Sequence, residues 1–215
     1  KVETAAKNNG VNPKEFVDKV SENFKNLLNC MNFSNDSFIR TTEEKHIKSC
    51  QKIWEKLLSN GNIYLDKYSG WYAVRDEAFF LESEIVDGKA PSGAPVEWVE
   101  EPSYFFNLSK WENKLLEFYE SNKDFISPKS RRNEVISFVK SGLKDLSISR
   151  TSFSWGVKVP NDKNHIMYVW LDALTNYLSA CEYSNEKNDE VFKKFWPADI
   201  PVSYTHLRAH ETSLH

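Results

Sequence analysis

The run of residues from Ile166 to Tyr177 constrains the fold of this chain more than any other segment. Residues 166–171 read Ile-Met-Tyr-Val-Trp-Leu, a β-branched and aromatic run that predicts a strand. Asp172 follows, and its side chain can accept hydrogen bonds from the free amides of a helix that begins at Ala173. A strand that leads directly into a helix favours an α/β fold.

Four side chains of this run are predicted to converge on an apolar slot with one polar tip, the hydroxyl of Tyr177. They stand at the strand end, on the first helical turn and one turn further on: Trp170, Ala173, Leu174 and Tyr177. A purely structural interpretation is also open, since most strand tryptophans belong to an ordinary core and a helical tyrosine can simply pack. Asp172 is interpreted as a helix cap.

Three further segments accompany this run. Residues 137–150 end in Ile-Ser-Arg, and residues 68–77 and 96–106 are rich in aromatic and acidic side chains. Together with the run 166–177, they resemble the methionyl-tRNA synthetases, class I enzymes, in a branch whose inserted domain lacks zinc. The similar segments follow the family's order over residues 1–200.

The resemblance implies an α/β protein with a doubly wound, Rossmann-like nucleotide-binding fold, interrupted by an inserted mixed α+β connective domain. Residues 1–44 would finish the first half of the nucleotide fold, residues 45–148 would form the insertion, and residues 149–200 would begin the second half. The family's His-Ile-Gly-His and Lys-Met-Ser-Lys-Ser motifs do not occur in the sequence. The chain is therefore expected to be a central fragment, truncated at both ends.

The same resemblance assigns roles to individual residues. The indole of Trp170 would close over a methionine side chain, the Tyr177 hydroxyl would face the sulfur, and Ala173 and Leu174 would shape the slot. Many relatives carry proline at the position of Leu174. Arg150, the arginine of Ile-Ser-Arg, is the catalytic candidate beside the bound substrate, and pairing with a nearby carboxylate is its structural alternative.

The implied activity is that of a methionine–tRNA ligase. ATP with Mg²⁺ would activate methionine as the adenylate, and tRNA(Met) would receive it; neither DNA nor a membrane is an expected partner. The fragment alone is expected to be inactive. An isolated RNA-binding or structural module without catalytic activity is the alternative, which would explain the helices and basic residues but not the pocket motif.

Charge is distributed unevenly along the chain. The net charge of −3 over 215 residues is too small to indicate nucleic-acid binding. Residues 76–101 carry a local charge of −7, whereas residues 127–150 carry +4. Within the basic stretch, Lys129, Arg131 and Arg132 lie at a predicted helix start, where backbone amides favour an anion, and they are candidate contacts to tRNA phosphates. The alternative is a solvated helix face.

Cysteine usage argues against zinc and against disulfides. The three cysteines are odd in number and far apart, which fits reduced and mostly buried thiols. No cysteine lies between Gly61 and Arg150, so a four-cysteine zinc knuckle in the insertion is excluded on ligand count. His206 and His210 lie in residues 201–215, which are predicted to be a non-native tail, and no metal site is assigned.

The remaining pattern predicts helices, strands and location. No apolar run reaches the ~18 residues of a membrane helix and no signal peptide is visible, so a cytoplasmic or organellar-matrix location is expected. Asn12 is predicted to cap one helix, and Thr41 or Thr42 a second that ends at Gly61. Short strands are predicted at 62–65, 70–75 and 78–81, an extended segment with a bend at Pro102 at 96–106, and helices at 109–121 and 131–142.

Overall fold

The computed structural model describes residues 2–76, 78–185 and 189–201, in which α-helices accompany two antiparallel sheets. The helices are α1 (Val2–Asn8), α2 (Pro13–Cys30), α3 (Glu44–Ser59), α4 (Glu112–Ser121), α5 (Lys129–Lys140), α6 (Val169–Leu174), α7 (Asn176–Ala180) and α8 (Glu190–Phe195). The strands are β1 (Ile63–Ala73), β2 (Ala78–Phe80), β3 (Glu97–Phe106), β4 (Leu146–Ser147), β5 (Ser149–Arg150), β6 (Lys158–Val159) and β7 (Asp162–Met167). The predicted tail lies outside the described residues, apart from Pro201.

The two long N-terminal helices follow their sequence signals in part. Asn12 caps α2 as predicted, and its side chain accepts a hydrogen bond of 2.9 Å from the Glu15 amide. Glu43, rather than Thr41 or Thr42, precedes α3, without a side-chain cap. The end of α3 agrees with prediction, because Gly61 adopts a φ of +66° just past the last turn.

A long β-ribbon dominates the first sheet, whose strand order is β2-β1-β3-β4. Strands β1 and β3 pair from Ile63 opposite Phe106 to Tyr72 opposite Glu97. The prediction of two separate strands at 62–65 and 70–75 was wrong, because pairing with β3 runs unbroken through the polar residues between them. The predicted extended segment 96–106 is confirmed as β3.

The second sheet has the order β5-β7-β6 and leads into the helices of the pocket motif. Strand β7 ends at Met167, and α6 begins at Val169 with Tyr168 as its cap. The predicted strand 166–171 is therefore confirmed only for Ile166 and Met167, the predicted helix start at Ala173 was wrong, and Asp172 lies inside the helix rather than capping it. The amides of Leu171 and Asp172 already bond to the Tyr168 carbonyl, so helical hydrogen bonding prevails over the β propensity of these residues.

Ile148 is the residue at which the chain crosses from one sheet to the other. Its amide donates to the Tyr104 carbonyl of β3 at 2.7 Å, and its carbonyl accepts from the Tyr168 amide at 2.8 Å. Both described sheets are antiparallel. The combination of helices and sheets confirms the α/β class, whereas the doubly wound, Rossmann-like fold and its insertion stay predictions.

Helix α3 packs where the two sheets meet and closes one hydrophobic core. The core contains Cys50, Trp54, Ile63, Ile148, Val157, Val159 and Met167. Trp54 is fully buried and meets Tyr104 edge-on, with 5.2 Å between the ring centroids. The helix that supports the ribbon therefore also supports the strand that leads into α6.

Helices α4 and α5 follow β3 along the chain and form a helical hairpin. Both helices agree with the predicted segments 109–121 and 131–142, although a short 3₁₀ turn, Leu108–Trp111, replaces the first part of α4.

All three cysteines are free; Cys50 is buried, whereas Cys30 is exposed, against the prediction of mostly buried thiols. Among the described helices, none combines the length and the apolar character needed to cross a membrane.

Candidate functional site

An apolar cavity of about 590 Å³ lies beside α6 and α7. Trp170 and Leu174, two of the four predicted pocket residues, line it together with Leu57, Phe106, Leu146, Ile148, Leu171, Leu178 and Trp196, among others. Ala173 and Tyr177 do not line this cavity, although helical spacing places them on the same face of the helix pair. The structure thus brings two predicted pocket residues into one apolar wall and leaves two beside it.

Two of the four predicted pocket residues are exposed, whereas Ala173 and Tyr177 are partly buried. The side chains of Trp170 and Leu174 line the cavity, and they are 41% and 50% exposed. These exposed fractions are high for an indole and a leucine. Exposed apolar side chains of this size are available to a ligand rather than committed to the core. Thr175 lies between the two helices, and its hydroxyl donates to the Leu171 carbonyl of α6 at 2.7 Å.

The opposite face of α6 and α7 is bonded to α3 through a buried imidazole. His46 Nε2 donates to the Asp172 carboxylate at 2.7 Å, and Nδ1 lies 2.9 Å from the Ser179 hydroxyl. Cys50 lies one turn further along α3, with its sulfur 3.2 Å from His46 Nε2. The sequence interpretation missed His46 and Ser179, because Asp172 lies 126 residues from His46 along the chain.

The atoms of His46, Cys50 and Asp172 that could bind a metal ion lie within 4.8 Å of one another. Their distances and protonation decide whether they fit a zinc site. Two ligands of one tetrahedral zinc stand about 3.3 Å apart for nitrogen and oxygen. The 2.7 Å between His46 Nε2 and Asp172 is a hydrogen-bond distance instead. Burial and the nearby Asp172 carboxylate also raise the pKa of Cys50 to about 12, which disfavours a thiolate ligand.

Arg150 lies behind the cavity wall, where the two sheets meet. Its guanidinium is 5.1 Å from the ring centre of Tyr68 and 4.8 Å from that of Tyr168. It also donates to the Ser147 hydroxyl and to the Ser149 carbonyl. Ser147 and Tyr168 line the apolar cavity, so Arg150 supports that wall.

A buried carboxylate faces Arg150, as its structural alternative requires. Glu101 Oε1 lies 3.9 Å from Arg150 Nε, and both side chains are largely buried. The other oxygen of Glu101 accepts a hydrogen bond of 2.8 Å from the Thr151 hydroxyl. Pairing with Glu101 is compatible with a place beside a substrate, and the catalytic assignment of Arg150 stays a prediction.

The basic cluster at the start of α5 consists of Lys129, Arg131 and Arg132, and its two arginines have different environments. Arg131 is exposed and pairs with Glu134 at 2.6 Å, whereas the Arg132 side chain is only 16% exposed. Arg132 donates to the Tyr119 carbonyl of α4 at 2.9 Å, which ties the hairpin together. Lys129 and Arg132 line a cavity of about 330 Å³. The assignment of these residues to tRNA phosphates stays a prediction.

The sequence model of one family, tRNA synthetases class I (M), matches residues 1–97 and 92–215. The chain belongs to this class I synthetase family. It is 64% identical over 203 residues to the methionine–tRNA ligase of Rickettsia conorii, covering 94% of this chain and 40% of the relative. It is also 52% identical over 215 residues to the methionine–tRNA ligase of Mesorhizobium japonicum. That alignment covers 98% of this chain and 41% of the relative.

Solved structures of the synthetase family agree with the described fold. The methionyl-tRNA synthetase of Mycobacterium tuberculosis, solved in complex with methionyl-adenylate, superposes with a TM-score of 0.82 at 50% identity. The superposition covers 92% of this chain and 40% of that structure. The chain thus spans about 40% of the length of the curated synthetases and of the solved synthetase that it matches.

Proposed function

We propose that this chain is the methionine-binding portion of a methionine–tRNA ligase. The observation that carries the proposal is the apolar cavity beside α6, whose open wall contains Trp170 and Leu174 from the pocket motif. The similarity to curated methionine–tRNA ligases supports it, because these relatives are 52% to 64% identical over nearly the whole chain. A module that only binds RNA has no use for an apolar slot of this size.

The proposed reaction has two steps. The methionine carboxylate attacks the α-phosphate of ATP, which forms methionyl-adenylate and releases pyrophosphate; a terminal ribose hydroxyl of tRNA(Met) then displaces AMP. Mg²⁺ accompanies ATP. No described side chain of this chain acts as a nucleophile in this scheme, and rate arises from orientation and charge stabilisation.

The proposed contribution of this chain is the recognition of the amino-acid side chain. Trp170, Ala173 and Leu174 would surround an unbranched thioether, and the hydroxyl of Tyr177 would meet the sulfur. Contact between sulfur and an aromatic ring contributes about 0.3 to 1.5 kcal/mol. One methylene more or less is worth about 1 to 3 kcal/mol in such a slot, so homocysteine is the difficult competitor.

Arg150 is proposed to stand beside the reacting groups, held in place by Tyr68 and Tyr168. Packing against two rings and bonding to backbone fix the direction of its guanidinium, as a group that meets developing negative charge requires. The proposed tRNA contacts are Lys129, Arg131 and Arg132. The insertion is proposed to hold no zinc, since residues 61–150 contain no cysteine.

The proposed division of the chain into domains is the one that the resemblance to the synthetase family implies. Residues 1–44 are proposed to end the first nucleotide-fold half, residues 45–148 to form the connective insertion, and residues 149–200 to begin the second half. Charging of tRNA takes place where protein is made, so the proposed location is the cytoplasm or an organellar matrix.

The test is an assay of amino-acid activation by the full-length protein encoded by the source gene. Exchange of labelled pyrophosphate into ATP is expected to require methionine and to stay at background with the other amino acids. Charging of tRNA(Met) transcripts is expected to follow. Exchange that depends on a different amino acid, or none with any, would refute the proposal.

A further inference from the structure

One buried imidazole holds both short helices of the pocket motif from behind. His46 is 0% exposed, and its two ring nitrogens bond to Asp172 of α6 and Ser179 of α7. The carboxylate only accepts, so Nε2 carries the proton. The Cys50 sulfur lies 3.2 Å from the same nitrogen. A single side chain of α3 thus fixes two helices that are separated by Thr175.

The two residues that bond to His46 lie on the side of the helix pair opposite the predicted pocket residues, whereas Thr175 between them lines the cavity. A helical residue advances by about 100°, so Asp172 and Ser179 lie about 160° from the mean direction of the predicted pocket residues. The predicted pocket residues on that side are Trp170, Ala173, Leu174 and Tyr177. Nothing that binds in the slot has to touch His46 itself.

Rotation of α6 about its axis is the motion that the His46 bonds restrain. A rotation of 20° at a side-chain radius of about 5 Å displaces the opposite wall by about 2 Å. A displacement of that size is enough to spoil a slot that discriminates by one methylene. The two bonds therefore control the position of the indole of Trp170 from the far side of the helix.

We propose that His46 is a positioning residue for the methionine slot, acting through Asp172 and Ser179. The inference rests on the proposed function, because it names what orients the recognition helix of that site. An ordinary core residue of α3 would affect all ligands of the protein alike through its effect on folding. A positioning residue affects the affinity for the amino acid and leaves the affinity for ATP nearly unchanged.

Helix α3 supplies a matched control for this distinction. Ser49 is also 0% exposed, but its hydroxyl donates within α3, to the Lys45 carbonyl at 2.9 Å. Ser49→Ala therefore removes a buried polar group of the same helix without releasing α6 or α7. His46→Gln is the conservative variant, since its amide nitrogen can still donate to Asp172.

The experiment measures methionine-dependent pyrophosphate exchange by the full-length protein. His46→Ala is expected to raise the KM for methionine about tenfold or more, because a buried charge-assisted hydrogen bond is lost, and to leave the KM for ATP within about twofold. His46→Gln should recover part of the loss, and Ser49→Ala should match wild type. Equal effects on both KM values, or no effect on either, would overturn the proposal.

A second measurement separates this inference from the proposed function. If wild-type protein shows no methionine-dependent exchange, the proposed function fails, and amide hydrogen exchange then tests His46. Residues 169–180 should exchange faster in His46→Ala than in Ser49→Ala, with unchanged rates in β1 and β3; equal protection of residues 169–180 would refute the positioning role. If His46→Ala does not fold, His46→Gln and Asp172→Asn are measured in the same way. Faster exchange of residues 169–180 than in Ser49→Ala supports the positioning role, and equal protection refutes it.

Discussion

At the level of the residue, Trp170 and Trp54 occupy opposite environments, one at a cavity and one in the core. The motif predicts a pocket indole, and the structure gives an indole that lines a cavity and is 41% exposed. A core tryptophan behaves differently, as Trp54 does, with no exposed surface and an edge-on contact to Tyr104. Substitution of the two residues should therefore have different consequences.

Trp170→Ala is expected to raise the KM for methionine and lower kcat/KM about thirtyfold, which corresponds to about 2 kcal/mol for one wall of an apolar slot. The KM for ATP and the melting temperature should change little, because the indole is open to solvent without substrate. Trp98→Ala is the control, since Trp98 is 56% exposed on the ribbon and lies outside the cavity lining. Unaltered methionine kinetics in Trp170→Ala would remove Trp170 from the pocket.

Cys50 makes stability depend on alkaline pH. Burial raises the pKa of its thiol from 9.0 to about 12, so above pH 9 the unfolded chain loses a proton that the folded chain retains. Stability is then lost progressively as the pH rises from about 9 to 12. The urea midpoint of wild type should fall more steeply between pH 8.5 and about 10.5 than that of Cys50→Ala. Parallel pH profiles of the two proteins would contradict the shifted pKa.

At the level of the element, two short signals next to helix ends predict correctly, whereas the caps assigned to Thr41 or Thr42 and to Asp172 were wrong, and long-range partners were not predicted. Asn12 and Gly61 mark their helix ends correctly, since both act on backbone groups a few residues away. The start of α6 was predicted four residues too late, because Val169 and Trp170 favour strands in isolation and a helix in this packing. His46 gave no recognisable signal, because its bonding partners come from distant elements.

The hairpin of α4 and α5 separates two basic residues that the sequence places side by side. Arg132 bonds to the end of α4, whereas Arg131 points to solvent and pairs only with Glu134 among the described contacts. Arg132 thus has a structural use that the sequence interpretation did not assign to it, and Arg131 is the better candidate for a phosphate contact.

The double variant Arg131→Gln, Arg132→Gln is expected to raise the tRNA KM in the full-length protein and to flatten its dependence on salt between 50 and 200 mM, because fewer counterions are released. Adenylate formation should not change. The single variants refine the expectation: Arg131→Gln should retain the wild-type melting temperature, and Arg132→Gln should lower it by a few degrees. Charging kinetics equal to wild type at both salt concentrations would show that Arg131 and Arg132 do not contact tRNA phosphates.

At the level of the whole molecule, the sequence predicted the family and the α/β class, and similarity to solved synthetases agrees with both. It did not predict that β1 is one continuous strand or that Ile148 bonds to both sheets. Continuity of a strand depends on its partner, and Lys67 and Ser69 in the middle of β1 are poor strand formers alone. Such properties belong to the assembled sheet rather than to any local pattern.

The purified 215-residue chain is expected to give no methionine-dependent pyrophosphate exchange. Neither the His-Ile-Gly-His nor the Lys-Met-Ser-Lys-Ser motif occurs in its sequence, so groups that hold ATP in this family are not supplied. The full-length protein serves as the positive control in the same assay. Exchange above a no-protein blank by the short chain would show that activation needs neither motif.

The shared core beneath α3 has a consequence for protein engineering. Trp54 and Cys50 of α3 pack in one cluster with Val159 and Met167 of the second sheet. A chimaera that exchanged residues 45–148 as a cassette would remove half of that cluster from its own counterpart. Junctions at Asn62 and Asp145 keep α3, Ile148 and β7 from one parent, so Ile63 is the one buried residue of this cluster that a ribbon and hairpin grafted from another synthetase would replace.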